Sequence, residues 1–340
     1  MGKPGKQGAL MPVEVALARL LELAEAAPIR EVERLPLAAT EGRVLAEDLI
    51  SSLDLPPWPN SAMDGYALRL ADWQGEPLPV SQRIFAGQSP EPLLPGTCAR
   101  IFTGAPVPAG ADCVEMQENA EVLDDQRVHF SQPLTLQQNI RPQGQETTVG
   151  ERVLPAGTRL GPIEQGLAAS LGCAELAVIR RRSSILSTGG VSVGEADFLG
   201  VALREEGELD LWKLAIKPGK PLTFGHFRGV PVIGLPGNPA STLVTFALLA
   251  RPYLLRRQGV QEVAPLRFQV PAGFVWAKPG NRREYLRARL ENGRAILYRN
   301  QSSGVLRSAA WAEGLVEVLE GTTLAEGDWL NFIPLSEVLG

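Results

Sequence analysis

Apolar residues at Val15, Leu17, Leu20, Leu21 and Leu23 recur at helical spacing and predict an amphipathic helix over residues 12–26. A short strand or turn and then a helix over 41–46 are expected next. The run Leu55-Pro56-Pro57-Trp58-Pro59 then forces an extended, turn-rich segment. From Gly65 to about Pro142 the period changes. Short β-like runs at 66–70, 83–86, 98–102, 113–116 and 128–130 alternate with Pro/Gly turns, which predicts a mostly β unit. Residues 163–171 are apolar enough for a helix, and 177–187 for a strand. Beyond them, 196–206 reads as a helix, 211–216, 222–224 and 230–235 as strands, and 241–255 as a strongly apolar helix. That strand–loop–helix order is what an open α/β sheet requires, with functional loops at strand C-termini. After Gly259, β-like runs at 266–270, 283–290, 295–298 and 315–319 predict a small barrel or sandwich.

The densest chemistry lies between Gly189 and Pro239. Three loops follow one another there: Gly189-Gly190-Val191-Ser192-Val193-Gly194, then Lys213 to Pro221, then Gly234-Leu235-Pro236-Gly237-Asn238-Pro239. Glycine lets backbone N–H groups approach an anion closely. The middle loop adds Lys213, Lys217 and Lys220 around Pro218-Gly219, and lysines held beside a rigid turn can fix an oxyanion as point charges. Glu195 and Asp197 precede the helix predicted over 196–206, so they either offset its dipole or ligate a metal. Asp64 lies in a polar loop, Asn60 to Tyr66, that reads equally as an Asp-capped turn. Thr103 either caps a turn or binds a ligand. Alternation in the run 283–290 puts Arg287 on one face with Tyr285 and Arg289, where a surface guanidinium is the default reading.

At 340 residues the chain is long enough for two to four domains. A net charge of −5 argues against nucleic acid as a partner, since such binders carry a basic excess. Cys98, Cys113 and Cys173 are odd in number and lack CxxC spacing, so they read as free thiols of a reducing compartment. Only His129 and His226 are present, which leaves a histidine metal site or a Ser-His-Asp triad poorly supported. No apolar run suggests a signal peptide or a membrane span, and a cytoplasmic location is expected.

Taken in order, the segments 57–66, 101–118, 139–146, 189–197, 212–221 and 234–239 resemble the molybdopterin molybdenumtransferase family, the bacterial molybdenum-insertion enzymes and the gephyrin E domain. The resemblance implies an α/β plus β fold in an elongated multi-domain subunit. Residues 8–55 and 143–180 would form a discontinuous dimerisation domain, and 56–142 a mostly β domain. Residues 181–262 would form a shortened, doubly wound α/β domain that binds molybdopterin, and 263–340 a C-terminal β-barrel. It implies a homodimer that inserts molybdate into adenylyl-molybdopterin and releases AMP with Mg²⁺. Molybdopterin-adenylating proteins or molybdoenzymes are implied as further partners.

By the same resemblance Asp64, Thr103, Asp197 and Lys217 would be catalytic, with Asp64 and Asp197 near Mg²⁺ or a pterin phosphate. Lys213, Lys217, Lys220, Pro221, Ser192, Gly194, Arg287 and Ser303 would surround the substrates, and Pro236, Asn238 and Pro239 would shape the cleft. Glu146 stands where the family has an acidic residue after an Arg-x-x-Gly turn. One departure stands out. The family's Ser-Thr-Gly strand end continues into Asp-Glu-Leu, whereas here Ser187-Thr188-Gly189 runs straight into Gly190-Val191. Two βα units, about 60 residues at roughly 30 each, have no counterpart. A weakened or absent activity and a less stable α/β domain are expected from that loss, with a non-catalytic dimeric scaffold as the alternative. A sugar- or nucleotide-phosphate enzyme using the same glycine loops is a third reading.

Overall fold

The computed structural model describes residues 10–189, 201, 203, 205 and 207–339. The first unit is assembled from two distant stretches of chain. Val32–Pro36 pairs antiparallel with Glu175–Ile179, Leu49–Ile50 with Arg152–Leu154, and Leu55 bridges Thr147. The expected helix over 41–46 does not form. Gly42 has φ +68°, and Val44 and Leu45 instead bridge Arg159 and Val178, so the backbone is committed to extended pairing.

Between those stretches the chain builds a six-stranded sheet. Its spatial order is Cys113–Met116, Gly65–Leu68, Cys98–Ile101, Leu78–Ile84, Arg127–Phe130 and Ala120–Val122. The alternation is apolar on both faces. Tyr66, Leu68, Cys98, Cys113 and Val128 pack one side, while Ala67, Ala99, Ile101 and Val114 pack the other. That is why these strands read as short continuous apolar runs rather than as polar/apolar alternation.

The α/β unit departs from a doubly wound sheet. Among the described residues its strands lie in the order Ile185–Thr188, Val230–Leu235, Pro221–Phe227 and Gly207–Lys213, and only the first pair is parallel. Among the described residues Ile185–Thr188 pairs on one side only, and its Ile185 and Leu186 are 41% and 45% exposed. The single helix expected over 241–255 is a composite. Pro239–Thr245 and Arg251–Arg257 are α-helical and flank a π-helical turn, Phe246–Ala250. Pro252 has no N–H to donate back to the preceding turn, and its ring crowds that turn's carbonyl, so a wider turn is the local solution. The helix Val13–Ala26 packs on this composite and joins its core.

The C-terminal unit is a small barrel. Its strands run in the order Arg283–Glu291, Gly314–Val318, Trp329–Pro334 and Phe268–Pro271, with Arg294–Leu297 on the outer edge of the first. A bridge from Ala272 to Ala295 brings the two ends of the sheet together. The strand Trp329–Pro334 and the helix Leu306–Trp311 were not expected from sequence, and the run expected at 83–86 overlaps only the end of the strand Leu78–Ile84. Exposed Trp329 and its polar neighbour Asn331 dilute the apolar signal in the first of these.

Candidate functional site

A cleft of about 580 Å³ opens where the α/β unit meets the barrel. Its walls are the basic turn Lys217-Pro218-Gly219-Lys220-Pro221, the turn Pro236-Gly237-Asn238, and from the barrel Arg282 and Gln301-Ser302-Ser303.

The basic turn is held from three sides. Leu214 donates its N–H to the Lys220 carbonyl at 2.6 Å, closing the loop. Met11 donates to the Lys213 carbonyl and accepts from Ala215, both at 2.7 Å. Ile216–Lys217 then leaves the α/β sheet and pairs parallel with barrel residues Arg283 and Glu284. Arg282 adds a guanidinium bond to the Ile216 carbonyl at 3.2 Å. Two lysines are thereby carried by backbone that belongs to two modules at once. Gly219 makes the turn possible: at φ +110° it is outside the range of an L side chain, and a Cβ there would sit 2.8 Å from Thr245 Cγ2.

The opposite wall is tied to the α/β unit as well. Asn238 donates its amide to Ser303 Oγ at 3.1 Å, and Ala240 donates its N–H to the Ser303 carbonyl at 3.0 Å. The Thr242 hydroxyl hydrogen-bonds the Pro236 carbonyl and fixes that turn. Among the described residues the cleft presents three cationic side chains, Lys217, Lys220 and Arg282, with amide and hydroxyl donors between them. Such a donor set binds an oxyanion.

Of the residues singled out from sequence, the fold brings Lys217, Lys220, Pro221, Pro236, Asn238 and Ser303 to this one cleft. Lys213 ends its strand outside the cleft lining, with its carbonyl on Met11. Pro239 borders a neighbouring apolar recess with Leu186, Phe246 and Leu306. Ser192, Gly194, Glu195 and Asp197 lie outside the described residues.

Arg287 is a correction. It is neither a surface guanidinium nor part of the cleft lining, but fully buried beneath the Ser302 wall. Its Nε donates to Ser308 Oγ at 3.1 Å and its Nη2 to the Ser302 carbonyl at 3.2 Å, while Gln301 clasps its backbone in both directions at 2.9 Å. Burial holds the Arg287 pKa below the ordinary arginine value. The arginine facing the cleft is Arg282, which sequence reasoning passed over, as it did Gln301, Ser302 and Ser241. The polar run Gln301-Ser302-Ser303-Gly304 was the one signal for the barrel wall.

Asp64 and Thr103 lie on the inserted β unit, away from the cleft lining. Thr103 donates both its N–H, at 2.7 Å, and its hydroxyl, at 2.8 Å, to Asp64 Oδ1. These two bonds, the backbone one first, hold the Asp64 carboxyl below its usual range. No group of three or more His, Cys, Asp or Glu suited to a metal occurs among the described residues. Nor does any helix there have the length and apolarity to cross a membrane.

A β unit inserted in a discontinuous base, followed by an α/β unit and a terminal barrel, is the architecture of a class of molybdopterin-biosynthesis proteins. The crystal structure of the molybdopterin biosynthesis moeA protein from Pyrococcus horikoshii OT3 has this fold, with a TM-score of 0.78, 25% identity, and coverage of 96% of this chain and 100% of that one. Residues 11–172 match the MoeA N-terminal region (domain I and II), 164–256 a probable molybdopterin binding domain, and 269–335 the MoeA C-terminal region (domain IV). The chain is 35% identical to the molybdopterin molybdenumtransferase of Haemophilus influenzae, over 68% of this chain and 74% of that protein. It is 32% identical to that of Synechococcus elongatus, over 87% and 91%. The chain belongs to the molybdopterin molybdenumtransferase family. The Synechococcus alignment runs over 379 residues although this chain has 340, so that relative carries residues with no counterpart here.

Proposed function

We propose that this protein completes the molybdenum cofactor by inserting molybdate into adenylyl-molybdopterin, with release of AMP. The observation that carries the reading is the cleft in which Lys217 and Lys220 of the α/β unit face Arg282 and Ser303 of the barrel. Molybdate is a tetraoxo dianion. The two ammonium groups and the guanidinium offer charge, and Asn238 and Ser303 offer hydrogen bonds at fixed spacing. A cleft of about 580 Å³ is in the range of organic-ligand sites, which leaves room for a pterin beside the anion.

The described lining has no carboxylate, so it does not fit a resident Mg²⁺. In this reading Mg²⁺ arrives with the pyrophosphate of the substrate. Asp64 is proposed to face it from a second copy of the chain, because Asp64 and Thr103 stand outside the cleft of their own chain. Asp197 is the other proposed carboxylate. The same argument makes the working unit a homodimer, and the proposal places it in the cytoplasm, supplied by a molybdopterin-adenylating partner.

The α/β unit is short at Gly189. A strand paired on one side among the described residues, with Ile185 and Leu186 exposed, and the alignment longer than the chain, support a missing segment there. Turnover below that of the longer relatives is therefore expected. Purified protein is incubated with adenylyl-molybdopterin, molybdate and Mg²⁺, and AMP is measured. Molybdate-dependent AMP release supports the proposal, and binding without any release removes it.

A further inference from the structure

Lys217 owes its place in the cleft to a residue that does not line it. Glu284 lies on the first barrel strand and is the registered partner of Lys217 in the parallel pairing. Its side chain is 6% exposed, whereas that of Lys217 is 52% exposed. Glu284 Oε2 is 2.9 Å from Lys217 Nζ, an ion pair without hydrogen-bond geometry, and among the described residues that oxygen accepts no hydrogen bond. Gly280 backs the other carboxylate oxygen: a Cβ there would sit 2.6 Å from Glu284 Oε1.

A half-exposed lysine on a four-carbon stem has wide rotamer freedom. A buried carboxylate without its counter-charge is costly. Each therefore constrains the other, and because Glu284 is walled in by the barrel, it is the ammonium that is localised.

We propose that Glu284 is a positioning residue for oxyanion binding: standing beside Lys217 on the adjacent strand, it fixes the Lys217 ammonium at the cleft. Backbone pairing delivers the strand, and the charge pair delivers the tip of the side chain. Lys220 has no such partner among the described residues and remains adjustable. The identity of the anion as molybdate rests on the function proposed above; the pairing itself does not.

Two variants displace the carboxylate while keeping its charge. Glu284→Asp shortens its reach, and Gly280→Ala pushes it from behind. Each is expected to weaken equilibrium binding of molybdate on the order of 10-fold, a scale between that of an exposed and a buried ion pair. The rise should appear in KM for molybdate with kcat little changed, as for loss of uniform binding. In a Lys217→Ala background neither variant should add to the loss. Unchanged or tighter binding overturns the proposal, as does an equal effect in the Lys217→Ala background.

A second readout needs no molybdate. Acylation by acetic anhydride, followed residue by residue by mass spectrometry, should label Lys217 several-fold faster in Glu284→Gln than in the parent, with Lys220 unchanged. Equal rates overturn the pairing. If the parent protein binds no molybdate, the proposed function and the anion's identity fall, and the labelling rates alone judge whether Glu284 holds Lys217.

Discussion

Replacing Gly219 by alanine perturbs the basic turn at its tightest point, and the structure supplies two separable costs. The first is conformational. At φ +110° the residue lies beyond even the left-handed helical region, where an L side chain costs about 1–3 kcal/mol. The second is steric. The new methyl would stand 2.8 Å from Thr245 Cγ2, and Thr245 is fully buried with its hydroxyl donated to the Ser241 carbonyl at 2.8 Å. It cannot rotate away without breaking that bond, and overpacking of this kind costs about 1–3 kcal/mol. The sum is a destabilisation of about 2–6 kcal/mol, measurable by urea unfolding followed by circular dichroism. Thr245→Ser removes the offending methyl and keeps the hydroxyl. The double variant should therefore recover about 1 kcal/mol or more of the loss, while the conformational part remains. Molybdate binding should weaken in Gly219→Ala, because Lys217 and Lys220 flank the strained residue. A loss under about 1 kcal/mol, or no recovery from Thr245→Ser, would refute the turn geometry on which the cleft depends.

Arg287→Met keeps the bulk but removes the bonds to Ser302 and Ser308. Stability should move by no more than about 1 kcal/mol, since relief of a buried cation with no carboxylate partner among the described residues offsets the lost bonds. Binding of molybdate, measured by equilibrium dialysis, should weaken as the Ser302–Ser303 wall loses its anchor. Burial pushes the Glu317 carboxyl up, but hydrogen bonds from Asn331 and Tyr285 and the charges of Arg267 and Arg283 outweigh it and leave it below its ordinary 4.5. Its contribution is therefore full above about pH 4.5 and is lost as pH falls through the lower folded value; urea midpoints against pH should show that loss in the parent and not in Glu317→Gln. The buried thiols of Cys98 and Cys113 are pushed up to about 12, so Ellman's reagent should titrate one thiol, Cys173, in the native protein and three after unfolding.

Much was legible along the chain because it depends on near neighbours. Apolar periodicity located the first helix, although its buried face is Val13, Ala16, Leu20 and Ala24 and Val15 is exposed; Pro/Gly punctuation located the basic turn and the Pro236–Asn238 turn. Local signals failed where a distant partner took over. The segment 41–46 had helical residues, but pairing of Val44 and Leu45 with Arg159 and Val178 outweighed that preference.

By itself, the sequence determined which residues could bind an oxyanion and which loops could carry them, since charge, hydroxyl groups and turn-forming glycines are properties of residues and their immediate neighbours. Tertiary structure decided which of them meet. Alternation put Arg287 on one face of its strand; the barrel core takes the other face, Leu286 and Ala288, while the Gln301–Ser302 loop and Ser308 cover Arg287 from outside, and Arg282, in the turn before it, faces the cleft. Parallel pairing of Lys217 with Glu284, 67 residues further along, put a buried carboxylate behind a lysine that looked merely solvated. Register and closure are sums over contacts between segments far apart in the chain, and no window of local sequence contains both partners.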